Sequence, residues 1–179
     1  MKALSTQLLS LFLLALMGSC IQEPEFSTVP TLTSSSVRQL EVTDAFTQNK
    51  KDSVIISLAF RDGDGNLGIT SDEFGGKTDD KRFQGKSNYE VRAYRRVKGV
   101  FTPVEFEQPL ATYFFPLRRD GKAGPIEGTL EFSQDYLPTN SRIRDTLRFD
   151  VRILDRDFQA SNWLETQPFI VFPPRYKRQ

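Results

Sequence analysis

From residue 37 onward, apolar and polar positions alternate with a period of two rather than 3.6. Val54, Ile56, Leu58 and Phe60 alternate with Ile55, Ser57 and Ala59, and Leu147, Phe149, Val151 and Ile153 alternate with Arg148, Asp150 and Arg152. Successive side chains of an extended strand leave on opposite faces, so each series predicts one row turned into a core and one turned outward. Weaker alternation predicts strands over 38–43, 89–97, 100–106, 111–117, 126–132 and 167–172, with turns at Lys98-Gly99 and Arg119-Asp120-Gly121-Lys122. No segment carries a sustained helical stripe with caps, and no repeat recurs. About eight short strands with turns between them predict an all-β fold, an immunoglobulin-like antiparallel β-sandwich, with a small up-and-down β-barrel as the alternative.

One connection is too long to be a turn. Residues 61–88 hold six Gly, six Asp or Glu and five Lys or Arg, and structureless connections beyond about 12 to 15 residues are often functional. The segment opens with Asp62-Gly63-Asp64-Gly65-Asn66-Leu67-Gly68 and reaches Glu73. Against the EF-hand calcium loop, Asp62, Asp64 and Asn66 take the first, third and fifth places, the Gly68 carbonyl the seventh, and Glu73 the twelfth. Leu67 stands where that loop needs glycine and a strand precedes it, so an EF-hand fold is excluded. Two readings stay open: a calcium loop, or a pair of tight turns in which glycine supplies positive φ. In a sandwich the loop after residue 153 emerges at the same end, which would bring Asp155, Asp157 and Asn162 toward the first cluster and supply further calcium ligands. Arg61 and Arg156 are placed to neutralise the same carboxylates.

The chain has no histidine. Ser-His-Asp and Cys-His catalysis and nearly every catalytic zinc site are thereby excluded, since each needs an imidazole. A hydrolase acting on glycans through paired carboxylates, with Glu105 and Glu107 on a short strand or the Asp62 to Glu73 loop as candidates, is the remaining catalytic alternative; the expectation is a non-catalytic module. Glu90, Arg92, Tyr94 and Arg96 share one parity, and Arg148, Asp150 and Arg152 share another. On neighbouring strands these rows form either a binding platform for a protein or an acidic glycan, carried by Arg92, Tyr94, Arg96, Arg148 and Arg152, or a charge ladder that solubilises the sheet. Trp163 is expected to pack at the end of the domain.

The N-terminus carries an address. Lys2 precedes an apolar run over 8–17, too short for a membrane span of about 18 or more residues and right for a signal sequence, and Met17-Gly18-Ser19 lead into Cys20, the sole cysteine. These residues resemble a bacterial lipoprotein lipobox, which implies removal of residues 1–19, acylation of Cys20, palmitate among its acyl groups, and attachment to a membrane through lipid. Ile21 after the cysteine, in place of an aspartate, implies the outer membrane. Residues 20–36 then form the lipidated cysteine and a tether, with two Pro and seven Ser or Thr over 21–36 and a reach of roughly 20 to 25 Å, and 37–179 form one domain. The formal net charge of +1 gives no field for a nucleic-acid partner.

Taken together, the Phe60–Gly68 segment after a strand and the 145–171 segment near the C-terminus resemble uncharacterised Bacteroidota lipoproteins with a single immunoglobulin-like domain carrying a DGDG(D/N)LG loop. The resemblance implies envelope location and fold, and no catalytic residue.

If Cys20 carries the lipid, Cys20→Ala leaves an unprocessed or soluble form, and the amount in washed membranes falls several-fold. Wild-type recovery of the variant in the membrane fraction excludes lipid as the anchor.

Overall fold

In the computed structural model, residues 24–106, 110, 112–118, 120–137 and 144–172 are described. The export segment with Cys20, Glu107, Arg119 and residues 173–179 lie outside them. The chain forms β1 (Thr31–Thr43), β2 (Lys50–Asp62), a one-turn helix α1 (Ser71–Phe74), β3 (Tyr89–Val97), β4 (Val100–Val104), β5 (Ile126–Tyr136), β6 (Thr146–Ile153), β7 (Leu164–Glu165) and β8 (Phe169–Ile170). Every pairing between strands is antiparallel. One sheet has the order β1-β2-β5; the other runs β4-β3-β6-β7, with β8 also on β6. First, second and fifth strands face third, sixth and seventh, as in an immunoglobulin-like sandwich, and the fourth stays with the third through a tight hairpin. The two sheets do not close into a barrel.

Period-two burial builds the core as the alternation predicts. Val54, Ile56 and Leu58 of β2 are fully buried and Phe60 nearly so, and they face Leu147, Phe149, Val151 and Ile153 of β6. Leu130 and Tyr136 of β5, Tyr89 and Ala93 of β3, and Phe169, Val171 and Phe172 complete the layer. The Lys98-Gly99 turn has positive φ at both residues, 49° and 87°, and joins Val97 to Val100 in register; that is the two-residue loop whose twist matches a hairpin.

The domain starts earlier than position 37. Thr31–Ser36 belong to β1 and pair with β2, and Gly63 N–H donates to the Ser27 carbonyl at 2.9 Å. The Ser- and Thr-rich composition that reads as a tether is an edge strand whose period is broken by a bulge between Leu32 and Ser34. Inward positions jump from Leu32, opposite Phe60, to Ser35, Val37 and Gln39, opposite Leu58, Ile56 and Val54. Other boundaries also move. The strand expected over 100–106 stops at Val104; that expected over 111–117 is reduced, among its described residues, to a single bridge between Thr112 and Tyr89; that over 167–172 is the two-residue β8.

Gln167-Pro168 separates β7 from β8, because proline has no N–H for a ladder. Side chains serve β6 in their place: Phe149 N–H donates to Thr166 Oγ1 and Ile153 N–H to Ser161 Oγ, each at 3.0 Å. Stitches also tie β1 to the second sheet. Asn162 bonds both the N–H and the carbonyl of Leu32, at 2.9 and 3.1 Å, and Gln39 Nε2 donates to the Ile170 carbonyl at 2.8 Å.

Phe149 is fully buried and its ring meets Phe169 at 5.3 Å. Phe149→Ala lowers unfolding free energy by about 3 to 5 kcal/mol, whereas Ser133→Ala, on the solvent side of β5, changes it by no more than about 0.5 kcal/mol. Urea titrations check the pair; comparable losses would mean that the faces are assigned backwards.

Candidate functional site

Two places gather the polar residues singled out by the sequence: the loop end after β2 and β6, and the outer face of the second sheet.

At the loop end, the parity that buries Val54 to Phe60 continues to Asp62, which is fully buried. The chain then turns through glycines that have little room for a side chain. Gly68 has φ 100°, and a Cβ there would lie 2.3 Å from the Phe115 carbonyl oxygen; Gly65, at φ 72°, would meet the Gly124 carbonyl at 2.5 Å. The turn reading therefore describes the backbone here. It leaves the side chains to be explained.

Asp155, 2% exposed, lies beside this loop through a bridge to Leu67. Its Oδ1 accepts from the Asp157 and Gln159 N–H groups at 2.9 and 2.7 Å, and its Oδ2 is buried with no hydrogen-bond partner. The Asn66 amide nitrogen donates to Asp64 Oδ2 and to Asp157 Oδ2, both at 3.1 Å, which leaves Asn66 Oδ1 buried and unpartnered. Both carboxylate oxygens of Asp62 are likewise buried without a hydrogen-bond partner. Burial, with Asp64 and Asp155 nearby, pushes Asp62 up to about 6; the Gly65 N–H opposes that shift without completing a bond. Burial also raises Asp155.

The expected ligand set thus divides. Asp62, Asp64, Asn66, Asp155 and Asp157 come together, but Glu73 and Gly68 are engaged elsewhere. Glu73 is in the capping box of α1: Thr70 Oγ1 accepts from Glu73 N–H at 3.2 Å, and Glu73 Oε2 accepts from Thr70 N–H at 2.8 Å. Its carboxylate also pairs with Arg156, whose second nitrogen reaches Glu73 Oε2 and the Gly68 carbonyl, each at 3.2 Å. The twelfth-place analogy fails because a Thr-x-x-Glu box, legible at Thr70 and Glu73, claims the same residue. Arg61 pairs with Glu127 at 3.2 Å, so neither arginine makes an ion pair with Asp62 or Asp155. Asn162 holds β1 and takes no part. Among the described residues, no three acidic or cysteine side chains form a ready-made metal-binding group.

On the sheet face, β3 and β6 pair with Glu90 opposite Arg152, Arg92 opposite Asp150 and Tyr94 opposite Arg148. The two predicted rows therefore share one face. Trp163 joins them instead of capping the end of the domain: Leu164 turns toward the core, so the residues on either side of it turn outward. The Arg92 guanidinium lies 4.0 Å from the Trp163 ring centroid and that of Arg152 4.6 Å. Arg148 lies over Tyr94 at 4.8 Å and over Phe101 at 5.0 Å, with Arg96 over Phe101 at 5.9 Å. Arg152 pairs with Glu90 at 2.6 Å and Arg148 with Glu165 at 2.9 Å. Arg92 and Arg96 are exposed and make no ion pair among the described residues. The paired-carboxylate alternative loses its strand, because Glu105 follows the end of β4 and is exposed, while Phe106 packs toward Tyr136 at 6.5 Å.

Glu73 and Asp62 give opposite limbs to the pH dependence of stability. Arg156 holds Glu73 down to about 2 against an ordinary 4.5, so its contribution is complete above about 4.5 and fades as pH falls toward 2. Asp62, raised from 3.8 to about 6, contributes fully below 3.8 and loses that contribution as pH rises through 6. With EDTA present, melting temperature rises on acidification from pH 7 to 5 and falls below 4.5. Asp62→Asn reduces the first limb alone, the remainder belonging to Asp155, and Arg156→Ala reduces the second alone; thermal melts across pH 2 to 8 measure both.

No protein-family model matches the chain, and no curated protein matches it, so function must be read from this geometry.

Proposed function

We propose that the chain is a lipid-anchored, non-catalytic β-sandwich of the cell envelope that binds an acidic protein partner through the outer face of β4-β3-β6-β7. The observation that carries this reading is the exposed Arg92 guanidinium held 4.0 Å from Trp163 without an ion pair among the described residues. Arginine and tryptophan are the residues that most often carry binding energy at protein interfaces. A stacked guanidinium keeps its donors in a fixed plane, ready for a carboxylate. Arg96, four residues along the same strand, repeats the arrangement on Phe101. The ring faces of Trp163 and Tyr94 are already engaged by guanidinium groups, which favours an acidic protein over a sugar that would need those faces for stacking.

Attachment through Cys20 sets the orientation. Phe26 lies against Arg61 with the guanidinium 5.3 Å from its ring, so the chain enters the domain beside the end of β2. The span from Cys20 to Phe26 reaches at most about 20 Å. The loop end then faces the membrane and the arginine face stands to the side, open to neighbours in the envelope.

A photo-crosslinking residue in place of Pro103, which lies opposite Tyr94, captures a partner in native envelopes. The double variant Arg92→Glu, Arg96→Glu lowers that capture at least tenfold and leaves the melting temperature within about 2 °C of wild type. Capture that persists in the double variant, or that is equal from a crosslinker at Ser133 on the other sheet, rules out the platform.

A further inference from the structure

The loop end poses a separate problem, independent of the platform. Asp62 Oδ1, Asp62 Oδ2, Asn66 Oδ1 and Asp155 Oδ2 are all buried and all lack a hydrogen-bond partner. Each accepts hydrogen bonds and none donates. They lie on two neighbouring loops tied together by the Leu67–Asp155 bridge and by the Asn66–Asp157 hydrogen bond of 3.1 Å. Buried polar atoms are nearly always satisfied, and a buried carboxylate without a partner is among the costliest exceptions. Among the described residues no guanidinium fills the need: Arg61 pairs with Glu127, Arg156 with Glu73, and Arg118, close to Gly65, with Asp120.

Strand parity explains why the cluster persists. Asp52 and Asp62 occupy the two ends of the same inward row of β2, and both are fully buried. Asp52 Oδ2 accepts from Gln39 Nε2 at 2.9 Å and from Phe172 N–H at 2.8 Å. At the other end Asp62 has the carboxylates of Asp64 and Asp155 nearby, and the Gly65 N–H beside it completes no hydrogen bond to either of its oxygens. Several oxygen atoms with no proton among them are the surroundings that a hard cation takes, and calcium accepts six to eight such ligands in irregular geometry.

We infer that the loops after β2 and β6 hold one calcium ion through Asp62, Asp155 and Asn66, with Asp64 beside them, and that Glu73 and the Gly68 carbonyl take no part. Two buried carboxylates and one amide oxygen supply the inner ligands, and water and main-chain carbonyls complete the shell. This set differs from the register that the EF-hand comparison suggests, where Glu73 would close the loop. Arg156 bars that role by occupying both Glu73 and the Gly68 carbonyl.

Full-length chain in detergent, stripped with EDTA, is melted across a titration of calcium chloride. Extracellular modules bind calcium at about 10⁻⁴ to 10⁻³ M, and at ten times Kd the melting temperature rises by about 5 °C. Asp62→Asn, which keeps the shape and removes the charge, melts higher than wild type in EDTA and no longer responds to calcium. Asp155→Asn loses at least tenfold in calcium affinity. Glu73→Gln melts lower than wild type because Arg156 loses its partner, yet retains the full calcium shift. Coincident melts of wild type with and without calcium overturn the site, as does a shift that survives Asp62→Asn combined with Asp155→Asn. Loss of the shift in Glu73→Gln, with Asp62→Asn still responsive, replaces this ligand set with the EF-hand register.

Discussion

The inward row of β2 is the constraint on which the domain turns. Asp52, Val54, Ile56, Leu58, Phe60 and Asp62 leave the strand on one side, so the hydrophobic layer that builds the sandwich is bounded by a carboxylate at each end. Neither can be turned to solvent without turning the whole row, since a shift of one residue exposes every apolar side chain at once. The fold has to provide for both acids. At one end it does so with Gln39 from β1 and the main chain of Phe172, which brings the C-terminal segment into the core. At the other end it brings up Asp155 and Asn66 and leaves an acceptor oxygen of each, with both of Asp62, buried without a hydrogen-bond partner.

That asymmetry connects the architecture to the chemistry of the loop end. The long connection after β2 is a folded shelf: α1 is closed by its capping box, Ile69 N–H donates to the Phe114 carbonyl, and Leu117 N–H to the Leu67 carbonyl. Leu67 and Ile69 are buried at 1% and 2% exposure, so the segment that carries Asp62, Asp64 and Asn66 has apolar anchors of its own. A cation held there, as proposed, would order little backbone and would relieve charge. The arginine face follows a different logic. Its aromatic rings and guanidinium groups satisfy one another, each stack contributing about 0.5 to 1 kcal/mol at an exposed site, and Arg92 and Arg96, without an ion pair among the described residues, are left for the proposed partner.

The extent to which all this could be read in advance varied with the element. β2 and β6 are legible because their alternation is unbroken across a full strand. The juxtaposition of the β3 and β6 rows is legible too, from parity and from the neighbouring places that a sandwich gives these strands. β1 is longer than its pattern shows, since Ser and Thr suit tethers and edge strands alike and the bulge at Leu32 breaks the period. α1 leaves no stripe, although Thr70 and Glu73 spell its cap, because it is one turn long. The place of Trp163 is not legible, because β7 beside it is two residues long and offers too little alternation to show an outward parity.

By itself the sequence determined the all-β class and the two central strands and their faces, because these depend only on the period of the chain; that β2 runs on to Asp62 and buries it is decided by the fold. The tertiary structure alone decided which oxygens at the loop end are left without partners. Glu73 and Asp62 carry the same charge on the same connection, but Arg156 comes to Glu73 from 83 residues away and no arginine or lysine among the described residues pairs with Asp62. Whether a carboxylate is paired, capped or stranded depends on what the opposite sheet delivers to it, and local spacing carries no record of that.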